Sequence, residues 1–203
     1  METAQTTRKD QRRDSILAVA SEVFAEEGFQ AASMSNIAAR LGGSKGTLYN
    51  YFSSKEALFE AYIRESCGRV GSEIVDFADE RPVPEVLQKF GERFLDRTYS
   101  DWAVRTFQIV IAEARRSPEL ARTFFDSGPM VGHDRLSEYF RIAKARGEIR
   151  PEDCGEAAWQ FLGLCRIHHL EVTLGVQSKP SSEAIAKQVA WAVEMFMMRY
   201  GAR

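Results

Sequence analysis

Residues 33–52 read SMSNIAARLGGSKGTLYNYF, and this stretch decides the fold of the N-terminal part of the chain. Ser33 precedes an apolar-periodic segment and is placed to cap a short helix with its hydroxyl. The inner face of that helix holds Ile37 and Leu41. Gly42 follows, and because glycine accepts a positive φ it can end the helix in a sharp turn. The stretch therefore predicts a short capped helix followed by a glycine turn.

A second short helix is predicted directly after the turn, from Lys45 to about Tyr51. Ser44 is its expected N-cap, and Leu48 is expected to point inward. Two short helices joined by a glycine turn and supported by a longer helix form the plan of a helix-turn-helix. The outward side chains would carry hydroxyls, an amide and a cation, which are groups that bond phosphates and base edges. These outward residues are Ser44, Lys45, Thr47, Tyr49, Asn50 and Tyr51.

Helical periodicity continues on both sides of this stretch. Upstream, an apolar stripe over residues 16–24 predicts a supporting helix that Gly28 ends. Downstream, a one-sided helix of about 25 residues is predicted to begin at Ser53, which forms an S-x-x-E capping box with Glu56. The next prolines, beginning with Pro82, would end it. This long helix would lead from the helix-turn-helix into the rest of the chain.

The remaining sequence also favours helices, and no segment alternates convincingly as a strand would. The approximate ranges of the further predicted helical segments are 86–94, 104–111, 117–127, 129–147, 153–174 and 182–200. The predicted fold is therefore all-α with about nine helices. Residues 1–55 are expected to form an N-terminal arm and a helix-turn-helix domain, and residues 56–203 a larger C-terminal domain.

Composition excludes several broad classes of protein. The chain has 203 residues, of which 44% are hydrophobic and 28% charged, as in ordinary globular proteins. The longest run without a charged residue is 12 residues, from Gly28 to Ala39, whereas a membrane helix needs about 18. The polar N-terminus lacks the apolar core of a signal peptide. A cytoplasmic location is therefore expected, and the net charge of −2 permits nucleic-acid binding without arguing for it.

Neither a metal site nor an enzyme is predicted. The three cysteines, Cys67, Cys154 and Cys165, lie far apart without a CxxC spacing and are expected to be buried thiols, with redox sensing as the open alternative. Adjacent His168 and His169 cannot face the same way on a helix. Because nucleophile elbows, phosphate loops and dinucleotide fingerprints are also missing, no cofactor is expected.

The pattern I-A-x-x-x-G-x-S-x-G-x-L-Y-x-Y-F-x-x-K-x-x-L resembles the TetR family of transcriptional regulators, over roughly residues 12–62. In this chain the pattern falls on Ile37, Ala38, Gly42, Ser44, Gly46, Leu48, Tyr49, Tyr51, Phe52, Lys55 and Leu58. The resemblance implies a homodimer that reads two-fold symmetric operator DNA with the second short helix of each subunit. So many fixed spacings make a chance match improbable.

The resemblance also implies which residues contact DNA. Lys45 and Thr47 would lie at the start of the recognition helix, Tyr49 and Tyr51 would contact phosphates, and Lys55 would hold the DNA backbone. The serines at the start of the preceding helix and the arginines of the N-terminal arm would add phosphate contacts. The full expected set is Arg12, Arg13, Ser33, Ser35, Ser44, Lys45, Thr47, Tyr49, Asn50, Tyr51 and Lys55.

The turn departs from the family pattern, and several residues keep ordinary alternatives. The family usually has a small residue before the turn glycine and an apolar one after it, whereas this chain has Leu41 and Gly43. The extra glycine is expected to loosen the turn. Tyr49 could instead be a core aromatic, the Arg8–Arg13 run a solvated terminus, and Lys55 an ordinary surface lysine.

For the C-terminal domain, the resemblance implies an effector pocket between central helices and a dimer interface on the last two. Residues 85–145 are rich in aromatics, so a hydrophobic or aromatic effector is expected. Glu113 is a further charged group to consider for a buried polar end of the pocket. The expected ligand-binding residues are Phe90, Phe94, Trp102, Arg105, Phe107, Ile111, Phe124, Phe125 and Arg166. The expected interface residues are Trp159, Leu162, Ile185, Val189, Val193 and Phe196.

The functional hypothesis is a repressor that an effector releases from its operator by moving the long helix. Such a shift cannot exceed the difference in the effector's affinity for the two states. Activation instead of repression stays open. The rival from another class is a ligand-binding or scaffold protein that keeps the helix-turn-helix only for packing, and the cations Lys45 and Lys55 argue against it.

Overall fold

A computed structural model describes residues 2–71 and 81–202 of the chain, with side chains described over 10–64 and 81–202. Across these residues the regular secondary structure is helical, with one isolated antiparallel bridge between Ile149 and Gly201. The helices are α1 Glu2–Ala31, α2 Met34–Arg40, α3 Lys45–Tyr49, α4 Lys55–Gly71, α5 Val83–Thr98, α6 Asp101–Glu113, α7 Pro118–Ser127, α8 Pro129–Ala145, α9 Cys154–Cys165, α10 His169–Thr173 and α11 Ser182–Tyr200. The prediction of an all-α fold is confirmed. A search of the described helices finds no apolar segment of membrane-spanning length.

The chain divides into two compact units. The first consists of Met1–Cys67 and Ile109–Phe124, and the second of Gly68–Gln108 and Phe125–Arg203. The expected boundary between residues 55 and 56 stays a prediction, but by packing the first unit also takes in the start of α4 and the segment around the end of α6.

The first unit is built around an aromatic cluster between α1 and α4. Phe24 and Phe59 meet edge to face with ring centroids 4.9 Å apart, and Phe29 lies 5.0 Å from Phe59. Gly28 has a φ of 75° and kinks α1 there, as the glycine stop predicted. Because Phe29 follows the kink, its ring returns to the cluster instead of continuing along the helix face.

The start of α4 differs by one residue from the predicted capping box. The backbone N–H of Ala57 donates to the Ser54 hydroxyl at 3.1 Å, so Ser54 caps the helix while Ser53 is exposed. The structure gives α4 as Lys55–Gly71. The predicted continuation toward residue 79 and the side chain of Cys67 lie outside the described residues.

The second unit packs α5, α8, α9 and α11 around one hydrophobic core. Phe196 of α11 contacts Phe140 of α8 and Phe161 of α9, with ring centroids 4.8 and 5.4 Å away. A Cβ atom at Gly91 would lie 2.5 Å from Cγ1 of Val189. Only glycine therefore allows α5 and α11 to approach as closely as they do.

The predicted helix over 153–174 is broken in the structure. The first part, α9, ends at Cys165, and α10 begins at His169. The buried Gln188 donates from Nε2 to the Cys165 carbonyl, which has lost its helical partner at this break. A side chain of α11 thus supplies the hydrogen bond that stabilises the break. Because Gln188 is distant in sequence, the periodicity of residues 153–174 could not predict this contact.

The predicted apolar stripe of α6 is wrong in part. Ile111 is 56% exposed, and Val104 and Phe107 are half-buried. The buried residues of the helix are instead Thr106, Val110 and Glu113. Two of these three are polar, so a pattern of apolar residues could not identify the inward face.

Candidate functional site

The helix-turn-helix has the local geometry that the sequence predicted. Ser33 caps α2 by accepting from the backbone N–H of Asn36 at 3.1 Å, and Ser44 caps α3 by accepting from that of Thr47 at 3.1 Å. Gly42 has a φ of 66° between the two helices. This conformation is open to glycine and strained for other residues, so the turn angle depends on it.

A small apolar base holds α2 and α3 in place. Ile37, Ala38 and Leu48 are buried, and Leu41 is half-buried. Because α3 is only five residues long, this packing and its serine cap supply stability that a helix of this length lacks by itself.

The side chains expected to read DNA lie on the outside of this base. Tyr49 is 45% exposed, so the alternative of a core aromatic is not supported at this position. Thr47 and Tyr51 are half-buried, and the Thr47 hydroxyl lies 2.9 Å from that of Ser44. The other exposed members of the set are Ser35, Ser44, Lys45 and Asn50. Their contacts with bases and phosphates remain predictions.

Arg12 lies against the turn at the second of its two glycines. A Cβ atom at Gly43 would approach Nη2 of Arg12 to 3.1 Å. The neighbouring Arg13 places its guanidinium carbon 5.7 Å from the centre of the Phe52 ring. Both arginines are half-buried, so this part of the basic run packs on the helix-turn-helix instead of forming a freely solvated terminus.

Lys55 has a structural role that sequence reasoning missed. Its ammonium group donates to the carbonyls of Phe29 at 2.6 Å and Gln30 at 3.3 Å, and it lies 4.4 Å from the centre of the Phe29 ring. Carbonyls at a helix end attract cations. Lys55 thus fastens the end of α1 to the start of α4, and its expected contact with the DNA backbone stays a prediction.

An ion pair joins α1 to α2, the first helix of the helix-turn-helix. Arg40 pairs with Glu26 and lies 3.8 Å from Glu27, while the amide of Asn36 donates to Glu27 at 3.0 Å. The hydrogen bond from Arg40 lowers the pKa of the exposed Glu26 carboxyl. The partners are distant in sequence, so no helical charge spacing signals this pair.

Glu113 belongs to the first unit. It is 3% exposed, and Oε2 accepts from Nε2 of Gln30 at 2.5 Å. A residue at the end of α1 thus already supplies this carboxylate with a hydrogen bond, and a role for Glu113 in a ligand site stays a prediction.

The residues expected to bind an effector differ in their exposure. Ile111 and Phe125 are 56% and 45% exposed, and Arg105 is exposed on α6, so the contribution of these three to an effector site stays a prediction. Phe90 is core, stacked on Phe94 at 5.9 Å. The remaining members are half-buried, namely Phe94, Trp102, Phe107, Phe124 and Arg166.

An open groove of about 590 Å³ separates parts of α5 and α11. Its apolar surface comes partly from Val193 and Met197, and its charged side chains are Glu85, Lys89, Glu92 and Glu194. Sequence reasoning missed this groove, because it depends on how two helices distant in sequence lie side by side.

The expected dimer-interface residues face inward in the protomer. Ile185, Val189 and Phe196 are at most 3% exposed, Leu162 and Val193 are buried, and Trp159 is half-buried. These side chains form the protomer's own core, and their contact with a partner stays a prediction. The exposed apolar side chains of α11 are Trp191, Met195 and Met198.

The cysteines within the described side chains are buried thiols, as predicted. Cys154 and Cys165 are free and buried. Burial raises the pKa of the Cys165 thiol to about 12, which removes the thiolate that redox chemistry needs near neutral pH. Across the described part of the chain, no group of three His, Cys, Asp or Glu residues could hold a metal ion.

Comparison with known proteins gives matches over both halves of the chain. The family model for bacterial regulatory proteins of the tetR family matches residues 16–62, and that for the C-terminal domain of AefR-like transcriptional repressors matches residues 85–202. The HTH-type transcriptional regulator UidR of Escherichia coli (strain K12) is 29% identical over 195 residues, covering 92% of this chain and 90% of UidR.

Solved structures agree in fold and in extent. The flavonoid-responsive regulator FrrA is 33% identical with a TM-score of 0.82, covering 96% of this chain and 99% of FrrA. Salmonella enterica GusR is 27% identical with a TM-score of 0.71, covering 93% of this chain and 94% of GusR. The similarities therefore extend over more than nine tenths of the chain.

Proposed function

Since this chain belongs to the TetR family and is a DNA-binding transcriptional regulator, we propose that it represses its target genes and is released from operator DNA by a small-molecule effector. The observation that carries the proposal is the capped α3 helix, which presents Lys45 and Tyr49 to solvent above a buried apolar base. The repressor role is supported by the match of residues 85–202 to the C-terminal domain of AefR-like repressors.

The rival hypothesis of a scaffold that keeps the helix-turn-helix only for packing is not favoured. A reading surface needs amide and ammonium groups on the outer face of α3, whereas packing alone does not require them. Lys45 and Asn50 are exposed there. The relatives that match more than nine tenths of the chain include the transcriptional regulator UidR and the regulator FrrA.

We further propose that the regulator acts as a homodimer. Two recognition helices must reach successive major grooves about 34–36 Å apart to read a two-fold symmetric site. The exposed apolar residues of α11, with Trp191 at 52% and Met198 at 79% exposure, support an interface on this helix.

For the effector we propose a hydrophobic or aromatic small molecule. Its support is the set of half-buried aromatic side chains on α5 and α6, which includes Phe94 and Phe107. The relative FrrA is a flavonoid-responsive regulator, and flavonoids are aromatic. Helix α6 contains the boundary between the two units, which falls between residues 108 and 109. A shift of α6 on effector binding could therefore be passed along its backbone to the unit that holds the helix-turn-helix.

The test is a mobility shift with the DNA upstream of the protein's own gene, at two salt concentrations. We expect specific binding that weakens as salt rises, since phosphate contacts release counter-ions. Lys45→Ala should weaken binding by about tenfold or more. Lys144→Ala, which removes an exposed lysine of the second unit, is the matched control and should bind like the unmodified protein.

Binding that shows no preference over random DNA, or that survives Lys45→Ala unchanged, would contradict the proposed reading surface. Operator binding that no compound binding the second unit can reverse would contradict release by an effector, while leaving DNA recognition intact.

A further inference from the structure

Arg166 lies at the break between α9 and α10 as a half-buried cation without a carboxylate partner among the described residues. Its Nε donates to the Leu162 carbonyl at 3.2 Å, and its guanidinium carbon lies 5.9 Å from the centre of the Phe94 ring. Burial lowers the pKa of the Arg166 guanidinium. Withdrawing a cation from water without a counter-ion costs free energy, so an anion that arrives later would be bound favourably.

Two polar atoms beside Arg166 also lack partners. The hydroxyl of Tyr99 and Nδ1 of His169 are buried, and neither has a hydrogen bond of ordinary geometry within the described part of the chain, although the Gln188 side chain lies close enough to the Tyr99 hydroxyl to lower its pKa. Tyr99 is 1% exposed, and its ring lies stacked near that of His169 with centroids 6.2 Å apart. Buried polar atoms are almost always paired in folded proteins, so two orphans in one place indicate a missing partner.

The protonation states of Tyr99 and His169 determine which hydrogen-bonding groups a ligand must offer them. Burial raises the pKa of the Tyr99 phenol and lowers that of the His169 imidazole, so both are neutral near pH 7. Nε2 of His169 faces the Thr173 hydroxyl at 3.5 Å. With its proton on Nε2, the ring leaves Nδ1 as an acceptor, while the Tyr99 hydroxyl remains a donor.

The three groups occupy one neighbourhood. The backbone N–H of His169 donates to the Arg166 carbonyl at 3.0 Å. The charge of Arg166 adds to the effect of burial on the pKa of His169, and it opposes without reversing the rise that burial causes in the pKa of Tyr99. The Phe107 ring lies 5.1 Å from that of His169. A cation, a donor and an acceptor thus lie among aromatic faces.

We propose that Arg166, Tyr99 and His169 form the polar end of the effector site, and that the effector is an aromatic carboxylic acid. This inference rests on the proposed control of the regulator by an effector. The guanidinium binds the carboxylate, the Tyr99 hydroxyl donates to it, and His169 Nδ1 accepts from a hydroxyl group of the ligand. The rings of Phe94 and Phe107 contact the aromatic body.

The groove between α5 and α11 does not suit the same ligand. Three of its charged side chains, Glu85, Glu92 and Glu194, are carboxylates, against the single cation of Lys89. These charges repel an anion, so the groove and the Arg166 site differ in the ligands they select.

The experiment compares 4-hydroxybenzoate with its neutral analogue 4-hydroxybenzamide on the full chain without DNA. Thermal unfolding and titration calorimetry measure binding, since a ligand of the native state raises Tm with concentration. We expect the acid to raise Tm at concentrations up to about 10 mM and to bind at least about tenfold more tightly than the amide.

Arg166→Gln should weaken binding of the acid by about tenfold or more and leave binding of the amide unchanged. Arg150→Gln, which removes an exposed arginine in the same unit, is the matched control and should bind the acid normally. Equal affinity for acid and amide, acid binding unchanged in Arg166→Gln, or no Tm rise with the acid would each overturn the proposal.

A second variant separates a ligand site from a merely structural arginine. Arg166→Met keeps a long side chain and removes the charge, so without ligand its Tm should equal or exceed that of the unmodified protein. A Tm lower by several degrees would make Arg166 a structural part of the α9–α10 turn and overturn the proposal. Release of operator DNA is measured separately: acid binding without release contradicts effector control and leaves the Arg166 site standing.

Discussion

At the scale of single residues, the second glycine of the turn also affects the position of an arginine. The loosening of the turn by Gly43 stays a prediction, and its missing side chain leaves the space in which the Arg12 guanidinium lies. The contact is with the end of a flexible side chain, so a larger residue at position 43 would displace Arg12 without deforming the backbone. Gly43 therefore determines where the Arg12 guanidinium can lie.

We predict that Gly43→Val weakens operator binding several-fold, because the valine side chain moves Arg12 from the turn. Arg12→Ala should have a similar effect, and the double variant should be no worse than the stronger single one. Mobility-shift titrations at fixed salt measure the three affinities. Gly132→Ala, at a position with open space around it, is the control. Additive losses in the double variant would show that the two residues act independently.

At the scale of helices, end contacts determine where each element begins and how it is held. The serine caps of α2 and α3 are local contacts three residues along the chain. The contacts of Lys55 at the end of α1 are with Phe29 and Gln30, which precede it by 26 and 25 positions in the sequence. Both kinds satisfy backbone groups that a helix end leaves unpaired, but only the first kind can be found in a short stretch of sequence.

The cap of α4 gives a prediction with a matched control in the adjacent residue. Ser54→Ala should lower the free energy of unfolding by about 1 kcal/mol, because the N–H of Ala57 loses its acceptor. Ser53→Ala should change it by less than about 0.5 kcal/mol, since Ser53 is exposed. Urea unfolding followed by circular dichroism measures both. A larger loss from Ser53→Ala than from Ser54→Ala would restore the capping box first expected at Ser53.

At the scale of the whole molecule, α11 separates two apolar faces. One face, with Val189 and Phe196, is buried in the second unit. The other face exposes Trp191, Met195 and Met198. A monomer gains nothing from presenting large apolar side chains to water, so the exposed face is the one that a partner would cover.

We predict that Trp191→Glu combined with Met198→Glu makes the protein monomeric and abolishes specific operator binding. Two charges at the interface would be desolvated on association, and a single helix-turn-helix binds weakly. Sedimentation velocity gives the oligomeric state, and a mobility shift gives DNA affinity. Ile111→Glu, which charges an exposed apolar position outside α11, should leave the oligomer intact. A dimer that survives the double substitution would place the interface on another surface.

Sequence alone determined the features of this protein that depend on neighbours along the chain. The all-α fold, the caps at Ser33 and Ser44, and the turn at Gly42 follow from hydrogen bonds and backbone preferences that span three or four residues. The spacing of these residues was also sufficient to identify the helix-turn-helix and the family. Most of the predicted DNA-reading surface belongs to this group, because the buried face of a short helix also determines which side chains lie on its exposed face.

Only the tertiary structure decided the features that depend on residues far apart in sequence. The place of Arg12 over Gly43, the partner of Glu113 and the break after Cys165 each require a contact from another helix. The faces of α11 are likewise ambiguous from the pattern, because both are apolar and burial depends on which neighbours pack there. Periodicity reports that a helix has an apolar face, whereas packing between helices determines which face is buried and which polar groups find partners.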